Sequence, residues 1–102
     1  QESPPAKAVL AFERALLDGD MATVSVHATP DRFAGLDADF TRAGPVAFLE
    51  QVRAQLPDPG IRPRQIREVV IHGRRAWVVM LNDDGSRTVA TLAHVDGVWK
   101  LD

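Results

Sequence analysis

The chain has 102 residues, 45% of them hydrophobic and 25% charged, a net charge of -2 and no cysteine. That length supports a single core domain over residues 1–102 and no second folding unit. The near-neutral balance excludes a general nucleic-acid binder, whose affinity needs a basic surface to neutralise phosphates. The missing thiol excludes disulfides, a cysteine nucleophile and zinc–thiolate sites.

No apolar run reaches the roughly 18 residues of a membrane span, so no span is expected in this chain. The opening Gln-Glu-Ser-Pro-Pro-Ala lacks a Met and is polar and proline-rich. Such a lead-in is left when an export signal is removed, or when a chain is trimmed for expression. Residues 1–5 are expected to be a flexible lead-in, and the protein periplasmic or secreted, with the cytoplasm as the alternative.

Ser3-Pro4-Pro5 can cap and open a first helix, because Ser accepts a bond from a free N–H and Pro needs no donor in the first turn. Val9, Phe12 and Leu16 recur at helical spacing, with Lys7, Glu13 and Arg14 expected elsewhere on the wheel. Gly19 ends this helix. Asp20 caps a second over residues 21–28, striped by Met21, Val24 and Ala28 and closed by Pro30. The segment 31–42 alternates poorly through Phe33, Gly35, Asp37 and Asp39, which suggests a short edge strand or an irregular arm. A third helix starts at Pro45 and carries Val46, Leu49, Val52, Arg53 and Leu56, with Phe48 beside Val52. Pro57-Asp58-Pro59-Gly60 stops it, and Ile61-Arg62-Pro63-Arg64 leads into the sheet.

Four strands follow, around residues 69–71, 77–81, 89–95 and 98–101, rich in β-branched and aromatic side chains. Their turns fall at His72-Gly73, Asp83-Asp84-Gly85 and Asp96-Gly97, where Gly and Asp tolerate positive φ. Helices first and a strand meander afterwards make an α+β fold: N-terminal helices packed on a curved antiparallel sheet of about four to five strands.

Two-residue turns would place Ile71 opposite Arg74, Asp83 opposite Ser86 and Val95 opposite Val98. One face then carries Ile66, Glu68, Val70, Arg75, Trp77, Val79, Leu81, Leu92, His94, Trp99 and Leu101. This bulkier face is assigned to the helices. The reverse face, with Val69, Ile71, Ala76, Val78, Met80 and Val89 among bases, suits a dimer interface or a solvated surface. Asn82-Asp83-Asp84-Gly85 also fits a three-residue turn with a bulge, and a one-residue slip there would exchange the faces beyond it.

On the bulkier face Glu68, Arg75 and His94 would meet near Trp77 and Trp99. They form either the polar floor of a ligand pocket or a rim Glu68–Arg75 ion pair with His94 solvated. His27 is a weaker candidate and reads equally as a helix-end residue favourable to the dipole when charged. Asp37 and Asp39, with Asp31, are candidates for a carboxylate pair or cation site, or simply turn and cap residues. His27, His72 and His94 lack paired spacing, so no metal is expected. Arg62, Arg64, Arg67, Arg74 and Arg75 suggest a basic stripe, either guarding a sheet edge or meeting phosphate or an acidic partner. No nucleophile–base order or phosphate loop is present.

Ala11-Phe12-Glu13-Arg14-Ala15-Leu16-Leu17-Asp18-Gly19-Asp20-Met21, Ala28-Thr29-Pro30-Asp31 and Asp96-Gly97-Val98-Trp99-Lys100-Leu101 together resemble the nuclear-transport-factor-2-like superfamily. This is the cystatin-like cone fold of SnoaL-like proteins and ketosteroid isomerases. The resemblance implies a sheet curved around the helices, a cone whose open end often holds a small molecule, and frequent dimerisation through the outer sheet face. In the isomerases it implies a base shortly after the Pro-Asp turn and a first-helix tyrosine at the oxyanion. Here the base position falls near Leu36-Asp37, and the chain contains no tyrosine.

The expected function is therefore a non-enzymatic domain that needs no cofactor. It would bind a small apolar molecule or another protein and pair as a homodimer through its outer sheet face. The alternatives are a SnoaL-like or isomerase-like enzyme with Asp37 or Asp39 as base, assisted by His27 or His94, and an interaction module of a cell-envelope assembly.

Overall fold

The structure is a computed structural model that describes residues 3–56 and 64–102. Helix α1 (Pro4–Asp18) is capped by Ser3, whose hydroxyl accepts from the Ala6 N–H, so Ser3, Pro4 and Pro5 belong to the helix rather than to a flexible lead-in. Gly19 at φ 71° ends it in the left-handed region, with Gly19 N–H donating to Leu16 O and Asp20 N–H to Ala15 O. Val9, Phe12 and Leu16 are buried as their spacing predicts, but so is Glu13. Positions 9, 12, 13 and 16 form one helical stripe, which places Glu13 inside it instead of elsewhere on the wheel.

Helix α2 (Met21–Val26) is capped by Asp20, which accepts bonds from the Thr23 hydroxyl and backbone N–H. Those bonds hold the Asp20 carboxyl below its ordinary pKa. Ala28 and Thr29 then run beside the end of the chain: Leu101 N–H donates to His27 O at 2.7 Å and Thr29 N–H to Leu101 O at 2.8 Å.

The segment expected as a strand or arm is helix α3 (Pro30–Ala43). Thr29 caps it, Pro30 needs no donor in the first turn, and Asp31 sits at the positive end of the dipole. Pro30 thus opens this helix rather than merely closing the one before. Phe33, Leu36 and Phe40 recur at i, i+3 and i+7 and pack against the core. Helix α4 (Pro45–Gln55) buries Phe48 and Val52, while Val46 stands 74% exposed. Phe40 and Phe48 join the two helices edge to face, with ring centroids 5.3 Å apart. The expected stop at Pro57-Asp58-Pro59-Gly60 and the entry through Ile61, Arg62 and Pro63 lie outside the described residues.

Strands β1 (Gln65–His72), β2 (Arg75–Leu81), β3 (Arg87–Val95) and β4 (Val98–Leu101) form one antiparallel sheet in sequence order. The first hairpin pairs His72 with Arg75, which moves the partners by two from the expected register and leaves the faces alike. The second pairs Leu81 with Arg87. Asn82 N–H donates to Ser86 O, and Gly85 at φ 87° completes the three-residue turn. That odd step reverses β3 and β4 relative to β1 and β2. The third hairpin pairs Val95 with Val98 as expected, with Asp96 and Gly97 both at positive φ. A bulge at Arg67, between Ile66 and Glu68, turns Ile66 inward.

The expected Trp-bearing face is therefore split. Ala76, Val78, Met80, Leu92 and Leu101 are buried under the helices, with Ile66, Val69 and Trp99 against them. Glu68, Val70, Arg75, Trp77 and Val79 lie on the outer face, where Val79 pairs with Val89 and Trp77 with Thr91. Trp99 and Leu101 meet the core as expected. The fold is α+β, with four helices covering one face of a four-stranded sheet.

Candidate functional site

The helices do not fill the space they enclose with the sheet. A cavity of about 1330 Å³ opens beside the β2–β3 hairpin. Helix α1 contributes Val9, Phe12, Glu13 and Leu16, and helix α4 contributes Phe48 and Val52. The sheet contributes Met80, Asn82, Ser86 and Thr88, while Arg32, Leu36 and Asp39 of α3 stand along the rim.

One ion pair sits in this wall. Arg64 leads into β1 where Gln65 pairs with Leu81, so its side chain projects beneath α1 toward Glu13. Its Nε lies 3.2 Å from Glu13 Oε1, and the two side chains are 7% and 12% exposed. Nη1 donates to Asn82 Oδ1 at 3.2 Å, and Nη2 lies 3.4 Å from Met80 Sδ. Asn82 in turn donates through Nδ2 to Ser86 Oγ at 3.0 Å and Thr88 Oγ1 at 2.9 Å. Burial pushes the Glu13 carboxyl above its ordinary pKa, against the opposing attraction of the Arg64 guanidinium. At the tip of the hairpin, Ser86 donates to Asp84 through its hydroxyl and its N–H, which lowers the Asp84 pKa.

The residues singled out by sequence are distributed differently. Glu68, Arg75 and Trp77 are on the outer face, and Arg75 pairs with Asp102 at 3.0 Å rather than with Glu68. His94 lies inside, directly opposite Trp99 across β3 and β4, with ring centroids 4.7 Å apart. The expected Glu68, Arg75 and His94 cluster is thus divided by the sheet because of the odd step at the second hairpin. Neither His94 nor Trp99 lines the cavity. His27 supplies a backbone carbonyl to Leu101, and its Nδ1 is buried without a partner. Asp37 is exposed on α3, whereas Asp39 reaches the cavity rim and pairs with Arg42. Of the expected basic stripe, Arg62 lies outside the described residues, Arg64 is turned inward and Arg75 is paired.

The sequence signal for Glu13 was its place at i+4 from Val9, inside an apolar stripe. No comparable signal marks Arg64, since its partners come from α1 and the second hairpin. Among the described residues no group of three or more His, Cys, Asp or Glu side chains could hold a metal ion, and no helix is long and apolar enough to cross a membrane.

No family model and no curated protein matches the chain. Among solved structures, a Campylobacter jejuni protein provisionally named an NTF2-like transpeptidase superposes with a TM-score of 0.56 at 19% identity, over 97% of each chain. The fold is NTF2-like. At that identity the likeness concerns the backbone and not the side chains of any site. In the NTF2-like cone described here, the cavity is the space between the curved sheet and helices α1 and α4, and the Glu13–Arg64 pair lies in its wall.

Proposed function

We propose that this NTF2-like domain binds a small, largely apolar molecule in its cone cavity, without converting it. What supports this is the cavity itself: it exceeds the roughly 300–1,000 Å³ of ordinary small-molecule sites, apolar side chains of α1 and α4 meet polar ones of the β2–β3 hairpin in its walls, and its buried polar groups converge from one side. The transpeptidase in the neighbour's name belongs to that protein. Such chemistry needs a nucleophile with a base in hydrogen-bond reach. Here the Ser86 hydroxyl is taken up by Asp84 and Asn82, and none of His27, His72 and His94 lines the cavity.

The neutral fluorescent probe N-phenyl-1-naphthylamine tests the proposal directly. Its emission is expected to rise saturably on titration with the folded chain, at about one site per chain, as a single preformed apolar pocket requires. Val52→Trp should fill the space and weaken binding at least about tenfold, with an unchanged far-ultraviolet dichroism spectrum. A folded wild type that gives no saturable enhancement rejects cavity binding.

The outer sheet face supports a companion proposal, pairing of two copies. Trp77 and Val79 sit there beside Val70, 42% exposed, and Val89, 54% exposed, and an isologous contact would cover this apolar row twice over. Sedimentation velocity is expected to show a dimer that Trp77→Glu converts to a monomer. A wild type that sediments as a monomer at high concentration removes the idea.

A further inference from the structure

Arginine presents five N–H donors in a planar fork and stays charged at any physiological pH. The Arg64 side chain is 7% exposed, yet its donors are poorly served. Nε finds no aligned acceptor although Glu13 Oε1 is near. Nη1 has the neutral amide oxygen of Asn82, and Nη2 has the sulfur of Met80, a weak acceptor. A buried cation thus lines the cavity with its Nη edge held by groups that a better acceptor would displace.

Resting on the cavity-binding proposal above, we infer that the ligand is an amphiphile with a carboxylate at one end, whose two oxygens take the Nη1–Nη2 edge of Arg64. Paired N–H···O bonds to a carboxylate match that edge in geometry and are roughly twice as strong as neutral ones. Displacement leaves little unsatisfied. Asn82 Oδ1 still accepts from the Thr88 hydroxyl at 3.3 Å, and its Nδ2 keeps Ser86 and Thr88. The Met80 sulfur loses a contact that water would scarcely replace. Beyond the fork, the half-buried Leu36 and Leu56, packed on the core that holds Phe12, Leu16 and Val52, offer apolar contact for the rest of the molecule. Glu13 faces the guanidinium from the Nε side and competes for its charge.

Three ten-carbon probes separate the possibilities in isothermal titration of the intact chain below their micellar concentrations: decanoate, 1-decanol and decylammonium. Decanoate is expected to bind about tenfold more tightly than decanol, the scale of one charge-assisted contact. Arg64→Gln should abolish that preference while leaving decanol binding. Glu13→Gln, which keeps Arg64 in place, should tighten decanoate several-fold and leave decanol unchanged. Equal affinity for decanoate and decanol would overturn the carboxylate assignment and leave the pocket standing. Tightest binding by decylammonium would overturn it in favour of Glu13 as the reader. If none of the three binds while N-phenyl-1-naphthylamine does, the headgroup proposal falls alone, and if that probe also fails, both proposals fall.

Discussion

Glu13→Ala is expected to destabilise the domain by about 3–5 kcal/mol, because it strands the Arg64 charge in a site where water barely reaches. The cost lies in what remains. Arg64 would keep an amide oxygen and a sulfur as its nearest partners, and neither compensates a guanidinium removed from water. Arg64→Met should cost less, since burial already favours the neutral form of the Glu13 carboxyl left behind. Replacing both together, Glu13→Leu with Arg64→Met, should recover most of the loss, because apolar groups of similar volume need no partner. Urea unfolding of wild type, Glu13→Leu, Arg64→Met and the double variant closes the double-mutant cycle. Additive losses, with no recovery in the double variant, would show that the pair is not coupled. The pH dependence has a definite sign. A carboxyl whose folded pKa is raised contributes fully below its ordinary value of 4.5 and loses that contribution as pH rises through the folded value. The stability of wild type relative to Glu13→Gln should therefore fall as pH rises through that window. An opposite slope would mean that attraction by Arg64, not burial, dominates at Glu13.

Much of the fold is legible in the sequence because it is written in local chemistry. Ser3, Asp20, Gly19 and the Asp96-Gly97 turn act on their own neighbours, and Val9, Phe12 and Leu16 announce their helix by spacing. Helix α3 was obscured because Gly35 and several aspartates dilute its apolar set. Yet the Thr29-Pro30-Asp31 start and the 33, 36, 40 spacing carry the helix once read together. The faces of the sheet were less accessible. Asn82 to Ser86 admits two turns differing by one residue, and strand periodicity cannot choose between them because β2 is apolar at nearly every position. The structure selects the turn that places Gly85 at positive φ and buries Met80 and Val78. The candidate site depends on that choice: a two-residue turn would put Trp77 and Arg75 on the same face as Trp99 and Leu101, and the observed turn separates them. Arg64 reads in the sequence only as part of a basic stripe, because its role depends on contacts some 16 to 51 positions away, with Met80 and Glu13, and separations of that kind leave no local pattern.

The same choice of turn gives a sharp contrast between adjacent residues of β2. Met80→Ala is expected to cost about 2–5 kcal/mol and Val79→Ala less than about 1 kcal/mol, because large-to-small changes are severe only where the surroundings cannot collapse. Met80 is 1% exposed against Leu92 and Val78, which are fully covered, and it also holds the floor of the cavity beneath Arg64. Val79 faces outward between Glu68 and Val89, and Val89 is itself 54% exposed. A two-residue turn at the second hairpin would assign the greater loss to Val79, since that register buries Trp77 and Val79 together. Chemical denaturation at low protein concentration, where the proposed pairing of copies would not cover Val79, distinguishes the two arrangements. If Val79→Ala proves the more costly, the helices cover the other face of β2, and Met80 cannot then lie beside Arg64. The ion pair, the cavity floor and the proposed carboxylate seat therefore stand or fall with one turn, which makes this pair of substitutions the most economical check on the site.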